Sequence, residues 1–155
     1  MTSSRKVYKV KNLLCKNLDL TINDKGKLEV IIFHEQFKSP LINALVKIYK
    51  VTVSGEYNEI GDGFLIYQFV TDANGKIPVI ELPILNELID GNNDFYYIAV
   101  HAVNHYSAYV FNAQIYPEIT TTFKISLQFI YTNDEHFQFI MQPTRSEIIE
   151  KREQQ

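Results

Sequence analysis

Apolar residues recur at every second position along much of this chain. In residues 27–37 (KLEVIIFHEQF), Leu28, Val30 and Ile32 fall on one side and Glu29, Ile31 and Phe33 on the other. Over 44–51, Ala44, Val46 and Ile48 alternate with Leu45, Lys47 and Tyr49. The cleanest case is 121–130, where Thr121, Phe123, Ile125, Leu127 and Phe129 oppose Thr122, Lys124, Ser126, Gln128 and Ile130. A period of two places alternate side chains on opposite faces, so each run predicts a strand with one face on a core. Four more apolar runs, 64–71, 78–82, 96–103 and 108–116, lie between turn-forming clusters at 38–40, 54–56, 61–63, 72–75 and 91–94. Seven short strands at this spacing predict an all-β fold, a seven-stranded antiparallel Greek-key sandwich.

The ends of the chain read differently. Residues 1–26 form a basic N-terminal arm, 27–131 the sandwich, and 132–155 a C-terminal extension. Residues 84–89 fit one helical turn or a packed loop equally well. In the extension, 136–141 is a candidate edge strand. Thr144 and Glu147 then have capping-box spacing, which predicts a short helix over 145–152 with only Ile148 and Ile149 to bury.

The turn at 72–75 joins two of the predicted strands. Asn74-Gly75 is a pair that accepts positive φ, and Asp72 is placed to bond backbone N–H groups two or more residues ahead. Asp72, Asn74 and Gly75 are therefore read as structural turn residues. A catalytic role for Asp72 lacks a neighbouring acid, base or nucleophile. Pro78 and Pro83 cannot donate to a ladder, which places the strand between them at a sheet edge.

Composition supports strands: 10 Tyr and 10 Phe, no Trp, and many Ile and Val. The net charge of −3 gives no reason to expect nucleic acid. Charge is uneven, however. Residues 1–27 hold seven Lys/Arg against Asp19 and Asp24, a balance of +5, which leaves −8 for the remainder. The arm is read as a solvated basic face. Cys15 is the single cysteine, so no intrachain disulfide and no cysteine-based zinc site are expected. Neither a signal-peptide apolar region nor a run long enough to span a membrane is visible. The expectation is a soluble chain without membrane insertion.

Several segments resemble a known family. G-K-L-E-V (26–30), P-L-I-N-A-L-V-K-I-Y (40–49), V-T-D-A-N-G-K (70–76) and Y-Y-I-A-V-H-A-V-N-H-Y (96–106) are similar to the carboxypeptidase-regulatory-like domain of the transthyretin-like (prealbumin-like) sandwich. Asn104 stands where that family has a glycine, and asparagine tolerates the left-handed region. P-V-I-E-L-P (78–83), D-F-Y-Y-I-A-V (94–100) and A-Q-I-Y-P-E-I-T-T (113–121) resemble, more narrowly, the accessory domain of clostridial spore cortex-lytic enzymes. The resemblance spans about residues 26–130. It implies a transthyretin-like sandwich that is not an enzyme, and it carries no catalytic residue over.

Candidate chemistry is sparse. His101 and His105 are four apart, but they fall on a strand end and turn rather than a helix, so no metal site is expected and no cofactor is assigned. A hydroxyisourate hydrolase would need a C-terminal Y-R-G-S, and the chain ends K-R-E-Q-Q. An adhesin-type internal isopeptide would need a lysine in the first strand, here 28–33, and an asparagine in 121–130; neither is present. Glu56, Glu59, Asp62, Asp72, Asp90 and Asp94 sit near turns and read as solvated loop acids. Aromatic residues remain. Tyr96, Tyr97, Tyr106, Tyr109, Phe111 and Tyr116 lie on consecutive predicted strands, with Tyr49 and Tyr67 nearby. Core packing accounts for some of them. Tyr96, Tyr106, Tyr109 and Tyr116 are the candidates for an outward row suited to a glycan or protein partner.

The leading expectation is therefore a non-catalytic structural or interaction module of bacterial spore or cell-envelope assembly, with a protein partner or self-association. The alternatives are a peptidoglycan- or carbohydrate-binding accessory of a cell-wall hydrolase system and a structural component of a phage-like particle.

Overall fold

The computed structural model describes residues 25–54, 60–85, 94–131 and 137–141. Eight strands are present among them: β1 (Lys25–His34), β2 (Leu45–Ser54), β3 (Ile60–Val70), β4 (Ile80–Pro83), β5 (Phe95–His101), β6 (Ser107–Ala113), β7 (Thr120–Leu127) and β8 (Phe137–Met141). They form two sheets, one of three strands in the order β4-β1-β7 and one of five in the order β3-β2-β5-β6-β8. The described residues form an all-β sandwich. β1 to β7 fall on the three alternating and four apolar runs read from the sequence, and β8 supplies the edge strand expected at 136–141.

The alternation does what its period requires. Leu28, Val30 and Ile32 of β1, Ile80 and Leu82 of β4, and Phe123, Ile125 and Leu127 of β7 face inward from the smaller sheet. Val46 and Ile48 of β2, Tyr96, Ile98 and Val100 of β5, and Ala108, Val110 and Ala113 of β6 face them from the larger. These side chains make one continuous core, each large aliphatic contributing about 1.5–3 kcal/mol by leaving water.

Two pairings differ from the all-antiparallel expectation. β1 runs parallel to β7 from Lys27 opposite Thr120 to His34 opposite Leu127. β8 runs parallel to β6. The reason is that alternation fixes which face a residue takes but is blind to the direction of the neighbouring strand.

The 72–75 turn carries the chain from β3 in the larger sheet to β4 in the smaller. Asp72 Oδ1 accepts from the N–H groups of Asn74 (2.8 Å) and Lys76 (2.9 Å). Gly75 has φ +70, and its carbonyl accepts from Ile32 N–H at 2.7 Å. A Cβ there would lie 2.2 Å from the Ile32 carbonyl oxygen, so the close approach itself demands glycine. Just before it, buried Thr71 ties the β3 end to the β2 start. Its Oγ1 accepts from Ala44 N–H (2.9 Å) and donates to the Leu41 carbonyl (2.6 Å).

Gly26 is the other glycine fixed by contact, since a Cβ would meet the Tyr116 carbonyl oxygen at 2.2 Å. It lies inside β1, as does Lys25, so the ladder begins two residues before the expected sandwich boundary. Residues 1–24 of the basic arm and the expected helix at 145–152 lie outside the described residues, as does most of 84–89.

Candidate functional site

The larger sheet offers the chain's most distinctive chemistry, on its outer face and along one edge. Lys47, Tyr49, Tyr97, Ala99, His101, Tyr109 and Phe111 alternate with inward residues and therefore share the outer face of β2, β5 and β6. Tyr97 sits at the centre. Its ring lies 5.7 Å from Tyr49, which is directly opposite on β2. It stacks nearly parallel to Tyr109 (6.0 Å, 7°) and tilts against Phe111 at 4.8 Å. His101 meets Tyr109 edge-on at 5.8 Å, and its Nδ1 shares a 2.7 Å hydrogen bond with Ser107 Oγ. Ala99 is buried although it points outward, opposite Tyr109 in the ladder. Its small side chain leaves room for the rings to meet over the sheet.

A β-bulge makes this cluster. Tyr96 pairs with Ala113 and Ile98 with Val110, so two residues of β6, Phe111 and Asn112, oppose Tyr97 alone. Asn112 takes a positive φ of 54, and its Oδ1 accepts from Gln114 Nε2 at 2.6 Å. Mutual burial among the rings pushes the Tyr97 phenol above its usual range, with Tyr109 and Tyr49 adding to the shift. His101 titrates below the usual histidine range, first through burial and then through the charge of Lys47.

The four tyrosines singled out from the sequence separate here. Tyr109 lies in the outer cluster. Tyr96 does not: it is buried in the core, with its hydroxyl donating to the Pro83 carbonyl at 2.7 Å. Burial, with Tyr67 adding to it, raises its phenol to about 12. The error is one of phase, because both faces of F-Y-Y-I-A-V-H are apolar. A signal was available: Ile98 and Val100 share Tyr96's parity, whereas the polar His101 shares that of Tyr97. Tyr106 is half-buried in the β5–β6 connection, and Tyr116 is half-buried after β6, beside Gly26.

The edge of the same sheet is the second feature. Among the described residues, β3 pairs only with β2, and it is eleven residues long. Phe64, Leu65, Ile66 and Tyr67 are 59%, 50%, 38% and 39% exposed, four consecutive large apolar side chains. The five-stranded sheet is wider than the three-stranded sheet facing it, so the inner face of β3 is only partly covered. Phe69 reaches the core, and Tyr67 stacks on it at 5.8 Å.

Of the described histidines, His101 belongs to the outer cluster and the other two form a pair. His34 and His105 meet at one end of the sandwich, with His105 Nε2 3.0 Å from His34 Nδ1. His105 Nδ1 donates to the Val103 carbonyl (2.7 Å), so in the neutral pair Nε2 accepts from His34 Nδ1–H. Phe129 covers both rings, at 5.2 Å and 4.3 Å. It is held there because 128–130 bonds back to Asn104 and Tyr106. Burial and the neighbouring His105 lower the titration of His34. Asn104, in the tight connection beneath, has φ 61. Among the described residues, no three His, Cys, Asp or Glu side chains gather to hold a metal ion.

Two of the described acids near turns have structural partners. Asp94 pairs with Lys50 at 3.1 Å, and Asp72 closes its own turn. Glu56, Glu59 and Asp90 lie outside the described residues. Lys25 and Lys27 do fall within β1, contrary to the narrower first strand of the isopeptide argument. Both are exposed, however, where an internal cross-link needs a buried lysine. Among the described residues, no helix is long and apolar enough to cross a membrane.

No protein-family model and no curated protein matches the chain. Solved structures of similar fold include two dioxygenases and a pilin. Catechol 1,2-dioxygenase from Acinetobacter sp. ADP1 is 13% identical, with 79% of this chain and 60% of that chain covered at a TM-score of 0.45. Hydroxyquinol 1,2-dioxygenase from Pseudomonas putida DLL-E4 is 10% identical, with 72% and 58% covered at 0.45. The minor pilin of Streptococcus agalactiae is 15% identical, with 80% and 50% covered at 0.43. The chain thus spans about three-fifths of each dioxygenase and half of the pilin. These likenesses concern strand arrangement alone and pass no residue, ligand or reaction to this chain. They do correct one expectation. Enzymes stand among the neighbours, so a sandwich of this kind gives no ground for ruling out an enzyme.

Proposed function

We propose that the chain is a structural or interaction module that works through its five-stranded sheet, joining a protein partner at the β3 edge. The observation that carries this reading is that β3, eleven residues long, has one ladder partner among the described residues and four consecutive large apolar side chains exposed. An open edge of that kind offers a row of backbone donors and acceptors to an added strand, with apolar side chains on both faces to fix it. Cell-envelope or spore assembly is the setting implied by the narrower resemblance of 78–83, 94–100 and 113–121 to the accessory domain of clostridial spore cortex-lytic enzymes. A photo-crosslinking amino acid at Leu65, in cells that produce the protein, tests the reading. Adducts of discrete protein mass are expected at Leu65 and not at exposed Glu118. Their absence at Leu65 would overturn it.

The outer aromatic cluster favours a second reading, in which Tyr109, with Tyr49, Tyr97 and Phe111, forms a platform for a sugar face. Saturable retention on purified peptidoglycan, lost in Tyr97→Ala and Tyr109→Ala but kept in Leu65→Lys, would replace the first reading with this one.

A further inference from the structure

We infer that the occupant of the β3 edge is β3 of a second copy of this chain, paired antiparallel about a two-fold axis between Leu65 and Ile66. The inference rests on the interaction reading above and names its partner.

The argument is one of matching faces. Gly61 and Gly63 lie on the outer face, beside Val51 and Tyr49, and Leu65 is opposite outward Tyr49. Tyr67 is opposite Ile48 and Phe69 opposite Val46, both inward. Between them Ile66 has no partner on β2, so the alternation of β3 changes phase at this bulge. An edge-to-edge pair about a two-fold must set outward residues against outward and inward against inward. For a strand that changes phase once, only one register does so along its length: the one that sets bulge against bulge. Leu65 then faces Ile66 of the second copy, Phe64 faces Tyr67, Gly63 faces Gln68, Asp62 faces Phe69, and Gly61 faces Val70.

That register also suits the chemistry. Each of the four exposed apolar residues from Phe64 to Tyr67 meets another of them, and the aromatic pair Phe64–Tyr67 occurs twice. Asp62 is the only charged residue from Gly61 to Val70. Its two copies fall at opposite ends of the ladder, seven residues or roughly 23 Å apart along the strands. That is beyond the ~8 Å over which exposed charges interact at physiological salt. The stretch holds no lysine or proline, the usual guards of an edge. A bulge ordinarily protects an edge by spoiling its register. Here it selects one.

Sedimentation velocity of the full chain from about 1 to 100 µM should show mass-action conversion from monomer to dimer. Ile66→Lys should weaken the dimer by at least about tenfold, since it sets a charge into an apolar pairing. Its circular dichroism should be unchanged, because the side chain is outside the core. Register is read by disulfides in a Cys15→Ser background. A mixture of Phe64→Cys and Tyr67→Cys chains should oxidise to a mixed dimer, while each alone should not, its own copies lying too far apart. A monomer throughout the range would overturn the inference. So would a dimer indifferent to Ile66→Lys and without the mixed disulfide. Slow amide exchange of β3 in a monomer would overturn it too, since the edge would then be covered by the chain's own residues. If the purified chain is monomeric while Leu65 crosslinks another protein in cells, this inference fails and the interaction reading stands. If Leu65 crosslinks nothing, both fail.

Discussion

β3 and β4 follow one another in the chain, each is an edge of its sheet, and they are built on opposite plans. β4 has four residues, ends in Pro83 and is preceded by Pro78. It buries Ile80 and Leu82 and exposes Glu81 and Pro83, so little ladder remains open to a foreign strand. β3 has eleven residues, neither proline nor lysine, and an exposed apolar run at its centre. One edge is closed by its own sequence. The other is left for something to close. The difference teaches that an edge strand's length and punctuation can say more about use than its hydrophobicity, which is high in both.

The largest test compares leucine with leucine. At dilution, where only folding is measured, Leu82→Ala should cost about 2–5 kcal/mol in urea unfolding, because Leu82 is 1% exposed and leaves a core cavity. Leu65→Ala should cost less than about 1 kcal/mol, since half its surface is already in water. Equal losses would erase the contrast between the edges.

Smaller effects come from the connection between them. Gly75→Ala should cost about 2–3 kcal/mol, combining a strained positive φ with a Cβ pressed on the Ile32 carbonyl. Thr71→Val should cost about 1–2 kcal/mol by leaving the Ala44 N–H and the Leu41 carbonyl without the hydroxyl. Loss at Thr71 with none at Gly75 would place the stiffness of this connection in β3 rather than in the turn.

The smallest effect is a pH dependence away from both edges. His34 and His101 titrate lower in the folded chain than in the unfolded one. The unfolded state therefore takes up protons first, and stability should fall as pH drops through about 6.5 and level off below the folded values. Urea midpoints that stay constant or rise from about pH 8 to 5 would contradict this.

The strands were legible because T-T-T-F-K-I-S-L and K-L-E-V-I-I alternate apolar with polar residues, and the pleat converts that rhythm directly into faces. The partners of those strands were not. Nothing in either segment records that β1 lies beside β7 and runs with it. The site was legible as a composition, many tyrosines on consecutive strands, but not as an arrangement. In F-Y-Y-I-A-V-H and F-L-I-Y-Q-F-V, apolar residues occupy both phases. The bulges opposite Tyr97 and at Ile66 then shift the phase within a strand, which no count of alternation detects.

The parallel seam between β1 and β7 also sets a schedule. During synthesis from the N-terminus, Leu28, Val30 and Ile32 leave the ribosome early, yet their neighbours Phe123, Ile125 and Leu127 emerge almost a hundred residues later. Until then one side of the first strand must wait unpaired, while β4 on its other side and the β3-β2-β5-β6 part of the larger sheet can assemble ahead of β7. Such distant closure makes for slow maturation and a long interval of vulnerability to sticking. A chaperone or a slowed translation rate would have its greatest influence on yield in the interval between the synthesis of β1 and that of β7.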